Sequence, residues 1–269
     1  MIDCHCHILP GIDDGAHTFE TALDMARAAA AAGIQDLVCT PHHLNGVYSN
    51  PGSVVRHALQ DLRERLAGAG VPLRIHPGAE LHLVPELPSQ VLDGTALTYN
   101  DLGKAALVEL PKAAVPMGAE TILEQLLYRG ITPVIAHPER NLVLVRNPER
   151  LAEWVARGCK VQLTAQSCSG DFGERIQHIS RHWLELGWVH LIASDAHRPT
   201  GRSPTTLAAG RAVVTEWLGD QAASLLVCDN PRRLLDGADL LALAPHANPR
   251  RIRMRGRWLG FLPWRRRAR

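Results

Sequence analysis

The stretch MIDCHCHILPGIDDG, residues 1–15, decides how the rest of the chain is read. Its first half alternates as a short β-strand does, so His5 and His7 are expected on one face and Cys4 and Cys6 on the other. Its second half, with Pro10, Gly11 and the run Asp13, Asp14, Gly15, reads as a turn-forming loop. A strand that ends in two imidazoles is thus followed at once by a loop that supplies two carboxylates.

The same plan recurs along the chain. Strands are expected at 2–7, 35–40, 73–81, 105–110, 131–136, 159–164 and 189–193, seven in all. Between them lie Ala/Leu-rich amphipathic stretches at 18–32, 51–69, 117–129, 147–157, 172–187 and 204–217. Thr18, Asn147 and Ser203 are the expected helix caps, and Gly33, Gly70, Gly130, Gly158 and Gly187 close helices ahead of the next strand. Repeated βα units imply an α/β fold built on a parallel sheet or barrel. The reading is one compact domain over residues 1–245 and a flexible tail over 246–269.

Composition excludes several classes. With 269 residues, 46% hydrophobic and 21% charged, the chain is ordinary globular material. No uninterrupted apolar run approaches the ~18 residues a membrane span requires, and no basic-then-apolar leader opens the sequence, so a cytoplasmic protein is expected. Cysteines at 4, 6, 39, 159, 168 and 228 lack framework spacing and read as free thiols. The net charge of +2 hides an asymmetry: residues 249–269 carry nine arginines and no acid, leaving 20 basic against 27 acidic residues elsewhere.

The ionisable residues gather where the expected strands end. His5 and His7 end the first, Asp13 and Asp14 follow it, and His42 and His43 follow the second. Glu80 ends the third, Glu109 the fourth, His137 follows the fifth, and Asp195 with His197 follows the seventh. In a parallel barrel the loops after the strands form one face, so these side chains would converge on one pocket. Any one of them alone could cap a helix or satisfy a backbone group; the set together points to a metal centre. A thiolate site at Cys4 and Cys6 would need further soft ligands on the opposite face. Imidazole and carboxylate donors suit Mn, Fe or Zn.

Five segments carry a family resemblance: DCHCHILPGIDDG at 3–15, TPHH at 40–43, GAEL at 78–81, IAHPER at 135–140 and ASDAH at 193–197. With them the chain resembles the PHP (polymerase and histidinol phosphatase) superfamily and, within it, the capsular-polysaccharide type of bacterial tyrosine-protein phosphatase, from residue 1 to about 240. The resemblance implies a distorted (β/α)7 TIM-like barrel, the PHP barrel, holding three divalent metals, usually manganese. It assigns His5, His7, Glu80 and Asp195 to the first metal, with Glu80 bridging to a second that also takes Glu109 and His137. Asp14, His42 and His197 fall to the third, with His43 the weaker choice beside His42. Arg140 and Arg202 match the family's phosphate-binding positions, where a planar guanidinium fork suits phosphate oxygens. Arg198 departs from the pattern, which has a small polar residue there.

The implied reaction is hydrolysis of phosphotyrosine by a metal-activated hydroxide, the metals also clamping the phosphoryl oxygens. The implied partner is an autophosphorylating bacterial tyrosine kinase that controls capsular or exopolysaccharide synthesis. Glu109 and Asp14 stand where other branches of the superfamily more often place His, which favours the tyrosine phosphatase over a histidinol-phosphate or small-molecule phosphatase. A non-catalytic module is the third alternative, and all nine ligand positions are filled against it. Cysteine-dependent catalysis is excluded, because no cysteine has Arg six residues on, and Gly-rich nucleotide motifs are absent. The tail, with Trp258, Phe261 and Trp264 among its arginines, could sit on an anionic membrane or an acidic partner, contact nucleic acid, or be inert; docking on a membrane or acidic partner weighs evenly against an inert extension, and nucleic acid is the least favoured.

Overall fold

The computed structural model describes residues 1–246, together with a two-residue antiparallel pair, Arg253–Met254 with Arg257–Trp258. Nine parallel strands carry the fold: β1 (Ile2–Cys6), β2 (Asp36–Cys39), β3 (His42–His43), β4 (Arg74–Pro77), β5 (Glu80–His82), β6 (Ala105–Glu109), β7 (Thr132–Ala136), β8 (Lys160–Thr164) and β9 (Leu191–Ala193). Three form one sheet, in the order β1-β2-β4, and six form another, β3-β5-β6-β7-β8-β9.

Seven expected strands become nine because the third breaks in two, β4 and β5, and a further short strand, β3, forms just beyond the second. Asp36 pairs with Arg74 and His42 pairs with Glu80, so the register offset is unchanged across both gaps. β3 therefore continues the direction of β2 past Thr40–Pro41, and β5 that of β4 past Gly78–Ala79. Gly78 is needed at its break: a Cβ there would lie 2.8 Å from Val38 Cγ1. The two sheets meet again at the far side. Asp195 N–H donates to His5 O at 2.9 Å, and His7 N–H donates to Ala196 O at 2.8 Å.

Strict alternation in β1 also fails. Asp3 stands opposite Leu37 and Cys6 opposite Cys39, so three steps of β1 match two of β2, a β-bulge. Cys4 consequently packs with Val134 and Leu191 in a smaller apolar cluster, and Cys6 joins the larger one with Ile8 and Leu37. The two thiols do not share a face, and both are fully buried.

Helices α1 (Phe19–Ala31), α2 (Gly52–Gly68), α3 (Leu87–Leu92), α4 (Ala119–Tyr128), α5 (Leu142–Arg146), α6 (Pro148–Ala156), α7 (Ala165–Ser169), α8 (Glu174–Glu185), α9 (Thr206–Leu218), α10 (Asp220–Ser224) and α11 (Asn230–Leu235) link and cover the strands. All six expected helices are present. The short α3, α5, α7, α10 and α11 lie outside the expected helices, being too brief for a helical period to register. Thr18 caps α1 by accepting from Thr21 N–H at 3.2 Å. Ser203 caps the turn that leads into α9, its Oγ accepting from Thr205 N–H at 3.3 Å, whereas Asn147 precedes α6 without a side-chain cap bond. Asn141 instead caps α5, accepting from Val143 and Leu144 N–H at 3.0 and 2.9 Å.

The N-terminal ends of the strands hold polar clusters that tie distant elements together. Asp36 is fully buried and accepts from Arg74, His76 and Arg232 at 2.6–2.8 Å, fastening α11 to β2 and β4. Burial pushes its carboxyl up, but these three partners outweigh burial and hold it below the usual range. His190, just before β9, is kept neutral by burial, which pushes its pKa down to about 3. The unfolded chain protonates this imidazole near pH 6.5, so its contribution to stability is full above that pH and is lost progressively toward pH 3. We therefore expect the stability difference between wild type and His190→Asn to shrink on acidification by up to about 1.4 kcal/mol per pH unit below 6.5, read by denaturant unfolding at several pH values.

Candidate metal centre

The proposed ligands lie at or just beyond the C-terminal ends of β1, β6, β7 and β9, or, for His42 and Glu80, at the starts of the short β3 and β5 that continue β2 and β4, and the structure brings them together. Three groups of donors have mutual distances a single ion can bridge: His5, His7 and Glu80; His42, Glu80 and Glu109; and His7, Asp14, His42 and His197. Glu80 is common to the first two. Its Oε2 lies 3.3 Å from His5 Nε2, 3.3 Å from His7 Nε2 and 3.1 Å from His42 Nδ1, yet this buried oxygen has no hydrogen-bond partner, nor has His42 Nδ1. Orphaned donor atoms in a buried cluster of carboxylates and imidazoles are what hard or borderline divalent cations fill.

His137 and Asp195 flank these groups. His137 Nε2 is 2.8 Å from Glu80 Oε1 and 4.0 Å from Glu109 Oε1. Asp195 Oδ1 is 3.5 Å from His5 Nε2 and 3.6 Å from His7 Nε2. Both residues adopt left-handed backbone, φ 32° at His137 and φ 52° at Asp195, a conformation that costs about 1 kcal/mol or more without glycine and concentrates at functional sites. Asp14 Oδ1 lies 3.3 Å from His197 Nε2 and 3.5 Å from His42 Nε2. His42 thus faces two groups, whereas the resemblance places it in one. His43 turns away: its Nδ1 accepts from Asn50 N–H and its Nε2 meets Gln90.

Supporting residues set the ring orientations. Asp13 Oδ2 binds His7 Nδ1 at 2.7 Å and Gln162 Oε1 binds His5 Nδ1 at 2.9 Å, which leaves both Nε2 atoms turned to the cluster. Asp13 also accepts from the backbone N–H of His42 and of Gly15, tying the first loop to the second strand. Burial opposes ionisation of Glu80 and Asp195, but the adjoining histidines outweigh it, joined at Asp195 by Arg202, and hold both carboxyls well below the usual range. A hydrogen bond from His197 does the same for Asp14. The cluster is therefore a pool of fixed negative charge with ring nitrogens aimed into it.

The arginines adjoin this pool. Arg140 Nη1 and Arg202 Nη2 both donate to Asp195 Oδ2, at 2.5 and 2.7 Å, and Arg202 Nε is a buried donor with no acceptor. Arg198 is exposed, and its backbone N–H pairs with Arg202 O in the same turn.

A family model for capsular polysaccharide synthesis proteins, CpsB/CapC, matches residues 1–236. The chain belongs to the CpsB/CapC family. It is 41% identical over 203 residues to the tyrosine-protein phosphatase YwqE of Bacillus subtilis (strain 168), covering 76% of this chain and 80% of that protein. It is 30% identical over 240 residues to the tyrosine-protein phosphatase CpsB of Streptococcus pneumoniae, covering 87% and 98%. Among solved structures, one from crystallography of YwqE and CpsB, described as unique metal-dependent tyrosine phosphatases, superimposes with a TM-score of 0.87 at 36% identity, covering 93% of this chain and all of that one.

Sequence reasoning missed Gln162, His82 and Glu139 in this CpsB/CapC site. Gln162 sits mid-strand in β8, and nothing in its local sequence marks it. His82 follows Glu80 by two residues, so alternation could have found it; its Nδ1 lies 3.8 Å from Glu109 Oε2. Glu139 is buried, and its Oε1 accepts from Ser167 Oγ at 2.6 Å and Thr164 N–H at 2.9 Å, anchoring the turn that carries His137 and Arg140.

Gly15 shows how tightly the first loop folds over His7: an added Cβ would lie 1.9 Å from His7 O and 2.5 Å from His7 Cβ. Gly15→Ala is expected to displace Asp13 and Asp14 and to lower bound-metal content on dialysis with Mn²⁺. Gly68→Ala, at the end of α2 with open space around it, should retain metal and gain up to about 1 kcal/mol.

Proposed function

We propose that the chain is a metal-dependent protein-tyrosine phosphatase acting on a phosphorylated protein, and that this protein is an autophosphorylating bacterial tyrosine kinase of capsular or exopolysaccharide synthesis. Membership of the CpsB/CapC family supports the activity. The observation that carries it is the meeting of two guanidinium groups on one carboxylate oxygen at the edge of the ligand cluster, with a further buried donor, Arg202 Nε, left without an acceptor.

In this reading His5, His7, Asp14, His42, Glu80, Glu109, His137, Asp195 and His197 hold three divalent ions, Mn in preference to Fe or Zn. When bound, these ions supply Lewis acidity and a hydroxide nucleophile at neutral pH. Asp13 and Gln162 keep the His7 and His5 rings turned inward, so little reorganisation is needed on loading. Arg140 and Arg202 bind the equatorial phosphoryl oxygens and neutralise charge that grows on them during in-line displacement. Tyrosinate, with a pKa near 10, leaves with less protonation than an alkoxide requires. Among the described residues five of the six thiols, Cys4, Cys6, Cys39, Cys159 and Cys168, are buried, and burial pushes each up, Cys159 to about 12; the half-buried sixth, Cys228, belongs to none of the ligand groups.

The same reading makes residues 1–245 a distorted (β/α)7 barrel, supported by the strand pairing and by the hydrogen bonds from His7 and Asp195 that join β1 to the segment after β9. It places the enzyme in the cytoplasm; among the described residues no helix is long and apolar enough to cross a membrane. Peripheral membrane contact through the tail, residues 246–269, is part of the proposal, and nearly all of that segment lies outside the described residues.

Hydrolysis of para-nitrophenyl phosphate and of a phosphotyrosine peptide should require Mn²⁺, stop on chelation and persist after iodoacetamide. His7→Ala should abolish it, and Arg140→Ala or Arg202→Ala should each lower kcat/KM by roughly 10²–10³. Preference for histidinol phosphate over the peptide would move the assignment to another phosphomonoesterase, and activity indifferent to chelator would sink it.

A further inference from the structure

The chain has only three tyrosines and three phenylalanines, and one of each stands at the rim of the metal centre. Tyr48 lies in the loop that follows β3, half-buried, with its ring parallel to that of His42, centroids 6.0 Å apart and planes at 8°. Phe172 lies between α7 and α8, also half-buried, with the Arg140 guanidinium carbon 5.4 Å from its ring centroid. Neither ring belongs to the apolar core clusters. Both loops are held in place: Asn45 Oδ1 accepts from the N–H of Val47 and of Tyr48 at 2.9 and 2.7 Å, and Gly173 N–H donates to Gly170 O at 2.8 Å across Phe172.

Each ring is therefore one contact away from a group that handles phosphate or metal, and each keeps part of its aromatic surface open. A phosphotyrosine has a short, rigid link between phosphorus and ring. With its phosphate at Arg140 and Arg202, its aryl group lies within a ring's length of those side chains, where Phe172 borders Arg140 and Tyr48 borders His42 of the ligand cluster. An alkyl phosphate has no group there to stack.

We propose that Tyr48 and Phe172 form an aryl subsite that selects phosphotyrosine over alkyl phosphomonoesters. The proposal rests on the phosphatase reading above and names what makes the site specific. An aromatic pair of favourable geometry contributes about two- to tenfold in affinity beyond area burial.

The test uses metal-loaded protein and two readouts. Wild type, Tyr48→Leu, Phe172→Leu and Tyr48→Phe are titrated calorimetrically with benzylphosphonate and with butylphosphonate, and assayed on matched phosphotyrosine and phosphoserine peptides. Either Leu variant should lower the benzyl-to-butyl affinity ratio by about two- to tenfold, with a matching rise in KM for the phosphotyrosine peptide, and Tyr48→Phe should preserve the ratio. An unchanged ratio, whether both affinities hold or both fall together, overturns the subsite and leaves the rings as braces for His42 and Arg140. Those outcomes are distinct from failure of the phosphatase reading, which would show as a wild type that does not hydrolyse the phosphotyrosine peptide at all.

Discussion

One buried carboxylate oxygen organises this protein. Glu80 Oε2 lies within 3.1–3.3 Å of nitrogens from His5, His7 and His42, three side chains from two other segments. A carboxylate so placed, nearly inaccessible to water, is stable only while positive charge faces it, from protonated imidazole or from a cation. Much of the local architecture delivers it there. The break at Gly78–Ala79 ends β4 and restarts the strand with Glu80 beside His42, and Gln162 and Asp13 hold the His5 and His7 rings toward the same point.

Around that oxygen the site is built in shells with different tasks. Asp13 and Gln162 fix imidazole orientation from behind, and Glu139 pins the turn between His137 and Arg140 to the start of α7. His137 and Asp195 pay the backbone cost of left-handed conformations, which surrounding hydrogen bonds impose: His137 N–H donates to Gln162 O and Asp195 N–H to His5 O. At the opposite ends of the strands Asn100 and Asp101, just ahead of β6, also adopt left-handed backbone, with φ 52° and 57°. There Asp36 gathers Arg74, His76 and Arg232 into a buried ionic knot, so stabilising and reactive polar clusters are separated along the strand axis.

Much of this was legible along the chain. The βα alternation, the six longer helices and the placement of His, Asp and Glu at strand ends all follow from local periodicity and turn chemistry, which act over a few residues. The resemblance through five motifs added a ligand assignment that periodicity alone could not supply. The errors were local too. Asn147 has the composition of a helix cap and stands at the cap position of α6, but cap bonds depend on the angle at which the chain enters the helix.

The sequence by itself determined the fold class, the existence of a donor cluster and its chemical character, because these depend on residue type and spacing. Only the tertiary structure decided which donors share an ion-sized space, that Cys4 and Cys6 part company across a bulge, and that Gln162, His82 and Glu139 belong to the site. It also brought Tyr48 and Phe172 to the rim. The physical reason is that register, bulges and strand breaks are settled by packing between segments far apart in sequence, and a single-residue shift in register re-aims every side chain beyond it.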